Sequence, residues 1–241
     1  MDENAELALL RRNLLLDALP EPALRQLRPK FVRREMHVRD QIVMRGESIR
    51  EAVFPISCVL STLAQGARGE LVEVATIGNE GMAGVSLFLA VDQSATLETF
   101  AQVPGEALVL SAENFKRHLA EIPRLHEVLG HYTQALFTQI SQSAACNRLH
   151  PATERMSRWL LMTHDRVGKD DFELTHEFLA QMLGVRRATV SEVAAGLQRE
   201  GLIQYARGRI HITDRAALED RACECYRIIR QEYKRLLGFR E

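Results

Sequence analysis

"HEFLAQMLGVRRATVSEVAAGLQREGLI", residues 176–203, decides how this chain is read. Its centre, "GVRRATVSEVA" (184–194), sets two arginines just ahead of a threonine and a serine. That centre is open to three readings: a basic-directed kinase site, a solvated helix face, or the part of a protein that enters a DNA groove.

The flanking residues separate these readings. Thr175 is a good N-cap, Glu177 suits the positive end of a helix dipole, and Leu179 and Leu183, four apart, give "HEFLAQML" one apolar face. Gly184 stands where helices commonly end in a left-handed residue. Val185 then points back to the core, and a second helix carries Val190, Val193 and Leu197 inward. Two helices crossing closely need a small residue, which Ala180 supplies four positions before the glycine. This is the pattern of a helix-turn-helix. Beyond it, "EGLIQYARGRIHIT" (200–213) offers two short strands, Leu202 to Tyr205 and Arg209 to Ile212, a β-hairpin wing.

The inward residues leave Arg186, Arg187, Thr189, Ser191 and Glu192 at the exposed N-terminal part of the second helix, the end that meets base edges in a major groove. Arginine there can bond guanine bidentately, hydroxyls can reach phosphates, and Arg207 and Arg209 extend the basic surface into the wing. From 186 to 209, five arginines against two glutamates leave a local charge of +3, although the chain as a whole carries −1. A kinase could not easily take Thr189 as an extended substrate from a folded helix. A partnerless solvated face would balance its charge along its length, and this one does not.

With 241 residues, 46% of them hydrophobic, the chain is expected to form two domains. The apolar stretch "AGVSLFLAV" (83–91) is far shorter than the roughly 20 residues that cross a bilayer, and the N-terminus is acidic where a signal peptide is basic. A cytoplasmic protein without membrane contact is expected. Cys58, Cys146, Cys223 and Cys225 are too few and too unevenly spaced for a disulfide framework. They read as structural thiols, with no metal site and no cofactor; Cys223 and Cys225 could form a redox pair only if exposed. No nucleophile elbow, phosphate loop or metal-ligand pair marks an enzyme.

Residues 5–28 have the helical period, with Leu7, Leu10, Leu14 and Leu15 on one stripe. From Phe31 to Leu110, short aliphatic runs between polar turns such as "GARG" (66–69) predict an antiparallel β-roll. Ser111 is a plausible cap for the helix that follows. From Arg124 to His150 a heptad-like seam of Leu125, Leu129, Tyr132, Leu136, Gln139, Ser143 and Cys146 predicts a helix about 40 Å long. Such a helix is expected to pair with its copy in a homodimer, the alternative being a helix lying on its own barrel. After Pro151 an amphipathic helix buries Met156, Trp159, Leu160 and Val167. The final helix (214–237) has no derived role. The fold class is α+β: a sensor domain at 1–123, a dimerisation helix at 124–150, and a winged helix-turn-helix domain at 151–241 with an extra C-terminal helix.

That order of parts, together with "FLAQMLGVRRATVSEVAAGLQREGLI" (178–203), resembles the Crp/Fnr family of bacterial transcription regulators over nearly the whole chain. The resemblance implies a cyclic-nucleotide-binding-like jelly roll, a homodimer on a two-fold related site in double-stranded DNA, and contact with RNA polymerase. Cyclic-nucleotide-binding members carry a Gly-Glu pair for the ribose and an Arg-Ser or Arg-Thr pair for the phosphate. Here Gly84 is followed by Val85, and Ala95 stands in the arginine's place before Thr96, so cyclic AMP is not expected to bind in the usual way and the effector is unknown. No cysteine precedes Cys58, which argues against the family's N-terminal iron–sulfur centre. His37, His118, His126 and His131, candidates for haem, read as surface or satisfied core residues. In the second helix the family's Arg-Glu-x-x-Ser-Arg becomes Arg187, Ala188, Thr189, Val190, Ser191 and Glu192, which implies a different half-site. The rival is a ligand or redox sensor whose winged domain mediates protein–protein contacts.

Overall fold

The computed structural model describes residues 2–67, 69, 71–89 and 95–238; Arg68 of the expected "GARG" turn and the end of the 83–91 stretch lie outside these. The N-terminal stripe is split into α1 (Glu3–Leu10), α2 (Leu14–Asp17) and α3 (Glu21–Leu27). The break is at Asn13, fully buried, whose side-chain oxygen caps α2 while its Nδ2 donates to the carbonyls of Pro55 and Gly81. A polar side chain inside the leucine run thus ties the lead-in helices to the β-roll.

The roll comprises β1 (Val32–Met36), β2 (Gln41–Val43), β3 (Glu51–Pro55), β4 (Val59–Gln65), β5 (Leu71–Ile77), the short α4 (Ser86–Leu89), β6 (Glu98–Val103) and β7 (Gly105–Ser111). Its two antiparallel sheets run β1-β7-β3 and β2-β6-β4-β5. Ser111 caps α5 (Ala112–Glu121) by accepting from the backbone N–H of Asn114. The long helix α6 spans Pro123–Leu149.

The seam of α6 is covered within the chain, which corrects the expectation that it meets a second copy. Leu125, Leu129, Tyr132, Leu136, Gln139 and Ser143 are each at most 8% exposed. Tyr132 donates to the carbonyl of Met82 in the roll, and Gln139 donates to the carbonyl of Thr76. The rest of the seam is taken by the last helix, whose Tyr233 donates to Gln139 Oε1 and lies 6.5 Å from Tyr132, ring centre to ring centre. The apolar periodicity of α6 records that the face is buried; it carries no information on which helix buries it. The opposite face stays open, with Phe137 70% exposed between Gln134, Ser141 and Ala144.

The remaining elements are α7 (Ala152–Val167), β8 (Asp171–Glu173), α8 (His176–Leu183), α9 (Arg187–Arg199), β9 (Ile203–Ala206), β10 (Arg209–Ile212), α10 (Arg215–Asp220) and α11 (Cys225–Leu237). Helix α7 is buried on all sides from Arg155 to Thr163, with Met156, Trp159 and Leu160 at its centre as expected; Val167 is only half-buried. The third sheet runs β8-β10-β9, so the wing gains a strand beyond the two expected. No helix among the described residues is long and apolar enough to cross a membrane.

Candidate nucleic-acid interface

Thr175 caps α8 by accepting from the N–H of Phe178. Gly184 ends that helix in the left-handed region at φ 61°, and the N–H of Val185 reaches back to the carbonyl of Ala180. A side chain at 184 would strain this turn. Helix α9 then buries Val190, Ala194 and Leu197, while Val193, expected inside, is half-buried and the smaller Ala194 takes the inner position. The wing turn places Arg207 and Gly208 at φ 50° and 78°, the pair of positive angles that a two-residue hairpin requires.

These pieces are locked together by polar contacts. Tyr205 donates from its hydroxyl to the carbonyl of Leu174 and from its backbone N–H to Gln198, and its ring stacks on His176 at 4.2 Å. Burial, with Arg187 nearby, lowers the His176 pKa. Ser191 donates to the carbonyl of Arg187 and lies 3.0 Å from His176 Nδ1, so its hydroxyl braces α9 against α8 instead of standing free.

The other residues singled out from the sequence are mostly exposed. Arg186 is the N-cap of α9, and Arg187 and Glu192 are exposed, as are Arg207 and Arg209 in the wing; Thr189 is half-buried. Among the described residues, none of Arg186, Arg187, Arg207 and Arg209 has a carboxylate within ion-pair distance. Several other exposed arginines are paired, among them Arg11 with Asp17, Arg25 with Glu3, Arg34 with Glu51 and Arg221 with Glu200. The start of α9 and the wing thus carry four guanidinium groups, those of Arg186, Arg187, Arg207 and Arg209, without a carboxylate partner among the described residues. Arg186, Arg187 and Thr189 also line a cleft whose far wall is Leu71 and Val72 of β5.

Residues 154–221 match the family model of the Crp-like helix-turn-helix domain. This segment is similar to Crp-like helix-turn-helix domains. About four fifths of the chain shares its fold with each of three solved structures. FixK2 from Bradyrhizobium japonicum is 14% identical with a TM-score of 0.68, the match covering 80% of this chain and 98% of that one. A CRP-family transcriptional regulator from Thermus thermophilus is 22% identical at TM-score 0.63, covering 78% and 96%. Another from that organism, of the CRP/FNR family, is 19% identical at TM-score 0.63, covering 79% and 98%. No curated protein matches at the sequence level.

The Crp-like domain is joined to the roll by two buried carboxyl groups that no motif or spacing singles out. Glu73, on β5, accepts from Trp159 Nε1 at 2.7 Å and from the Ser61 hydroxyl. Burial pushes its carboxyl up to about 7, against the pull of those two donors. Glu80 pairs with Arg166 at 2.7 Å, and Arg166 also donates to the carbonyl of Met162. Gly78 is required at this crossing, since a Cβ there would lie 2.5 Å from the Arg166 side chain. Ser61 against the Met182 sulfur and Phe100 edge-on to Phe178 complete the contact between sheet and α8.

Inside the roll, a cavity of about 120 Å³ is lined by Gly84, Val85, Ala95, Thr96, Thr99 and Leu136, among others. Among the described residues its lining carries no charged side chain. Three of the four histidines considered for haem have defined contacts of another kind: His118 Nδ1 lies on the carbonyl of Asn114, His126 packs on Phe88, and His37 lies beside Asp40.

Proposed function

We propose that this protein is a sequence-specific transcriptional regulator that binds double-stranded DNA as a homodimer on a two-fold related site. The observation that carries this reading is the set of four exposed arginines without an ion-pair partner in a Crp-like domain, two at the start of the recognition helix and two in its wing. Arg187 and Glu192 are the base-reading residues, with Glu192 accepting from a cytosine amino group. Arg207 and Arg209 sit on phosphate. Fluorescence anisotropy with random duplex DNA across a salt series tests this: Arg207→Ala and Arg209→Ala should each weaken binding to all sequences alike and reduce the salt slope by about one. A protein that ignores duplex DNA at low salt would instead favour a winged domain used for protein contacts.

Dimerisation runs through the exposed face of α6, the longest helix among the described residues, and contact with RNA polymerase follows from the family resemblance. Phe137, 70% exposed, is the centre of the pairing face, and the open space beside Gly130 allows two helices to approach closely. Phe137→Glu should convert dimer to monomer in light scattering while the chain stays folded; an unchanged dimer would place the pairing elsewhere.

The effector cavity takes no cyclic nucleotide in the usual manner, because a buried phosphate without a guanidinium would lose its hydration with no compensating partner. Calorimetric titration with cyclic AMP should give no binding heat at micromolar concentrations, and a micromolar isotherm would refute this.

A further inference from the structure

Where α6 ends and α11 begins, three cysteines and a histidine converge. Cys146, Cys223 and Cys225 are at most 4% exposed and His150 is half-buried. Their ligating atoms all lie within 4.8 Å of one another. Cys146 and His150 stand one helical turn apart at the end of α6, Cys223 enters from the turn before α11, and Cys225 is the first residue of α11. The Sγ atoms of Cys146 and Cys223 are 3.4 Å apart, and Cys225 Sγ is 3.6 Å from His150 Nδ1. A disulfide needs about 2.05 Å between sulfurs. Bonds of about 2.3 Å to sulfur and about 2.0 Å to nitrogen place tetrahedral ligand atoms roughly 3.6 to 3.8 Å apart, close to what is found.

Two further observations point the same way. His150 offers Nδ1 to the sulfurs while Nε2 lies 3.2 Å from the Glu224 carboxylate, the arrangement by which an outer carboxylate orients a metal-binding imidazole. Arg155 and Arg158 are buried beside the cluster, and neither has a carboxylate within ion-pair distance among the described residues; Arg155 donates only to Asn147 and Arg158 to the Met162 sulfur. Buried cations of this kind call for a nearby anion, which a three-thiolate metal complex supplies.

We propose that Cys146, His150, Cys223 and Cys225 bind one zinc ion in a closed, structural, tetrahedral site that fastens α11 onto α6. Four protein ligands leave no open position for catalysis. Thiolate and imidazole donors in this geometry select zinc over hard cations, and the small separation of the ligand atoms suits one ion and leaves no room for a multi-iron core. The consequence is that the helix covering the seam is held by the helix that carries it.

The test is elemental analysis and cobalt substitution on the full chain purified under reducing conditions. Stoichiometric zinc is expected, as are the intense visible bands of tetrahedral, thiolate-bound cobalt after exchange. Cys223→Ser and Cys225→Ser should lose those bands and Cys58→Ser should keep them. Glu224→Ala, a change at an exposed position that the fold tolerates, should weaken zinc affinity by roughly 10- to 100-fold, as outer-sphere changes do. A chain free of metal whose cobalt form stays octahedral would overturn the proposal, as would a Cys146–Cys223 disulfide in its place or the spectrum of an iron–sulfur cluster.

Discussion

Arg166→Met should be the most destabilising single change considered, by about 3–5 kcal/mol, because it strips the guanidinium from a carboxylate that stays buried. Arg166 and Glu80 are 8% and 12% exposed at the side chain, and the pair bridges α7 to the end of β5. The desolvation of Glu80 is offset in the native chain by that guanidinium and by the N–H of Gly78. The double variant Arg166→Met with Glu80→Leu should recover much of the loss, since it removes both charges together. Denaturant titration of the two single variants and the double gives the coupling. Additive effects would show that the pair does not join the domains.

The second large effect is a pH dependence set by Glu73. Its carboxyl lies at about 7 in the folded chain against an ordinary 4.5, so the folded state holds this proton more tightly than the unfolded state does. The contribution to stability is fully present below the ordinary carboxylate range and is lost as pH rises through about 7, a swing of roughly 3 kcal/mol at 1.36 kcal/mol per unit. Glu73→Gln keeps an acceptor for Trp159 and a partner for Ser61 but cannot ionise. It should therefore match the parent near pH 5 and exceed it in stability at pH 8. Equal slopes of stability against pH in parent and variant would show that Glu73 is not the titrating group.

The helix-turn-helix was legible because its signals are local. Thr175, Gly184 and the Arg207-Gly208 turn each act within a few residues of themselves, and each does in the structure what its residue type implies. The roll was legible from its strand texture. What could not be read depends on partners distant in sequence. The seam of α6 shows that Leu129 and Tyr132 are buried, yet Tyr233 of α11, which covers part of it, lies about 100 residues further on, in a helix with an apolar face of its own and no stated destination. Asn13 breaks a leucine stripe because it finds the carbonyls of Pro55 and Gly81, which no periodicity foretells. Glu73 sits in a strand whose alternation would place a carboxylate outside, and the indole of Trp159 and the hydroxyl of Ser61, both donating to it, make its burial tolerable. Cys146 and Cys223, 77 positions apart, read as unrelated thiols until the chain folds, and nothing in the local sequence sets His150 apart.

The central claim is that the start of α9 chooses a DNA sequence. Selection of bound duplexes from a random pool, run in parallel on the parent and on Arg187→Ala, tests it most directly. The parent should enrich a two-fold symmetric site, and loss of Arg187 should relax preference at one position of each half-site by about 1–3 kcal/mol while leaving the others in place. The same site enriched to the same degree by both proteins, or no enrichment by the parent, would contradict it.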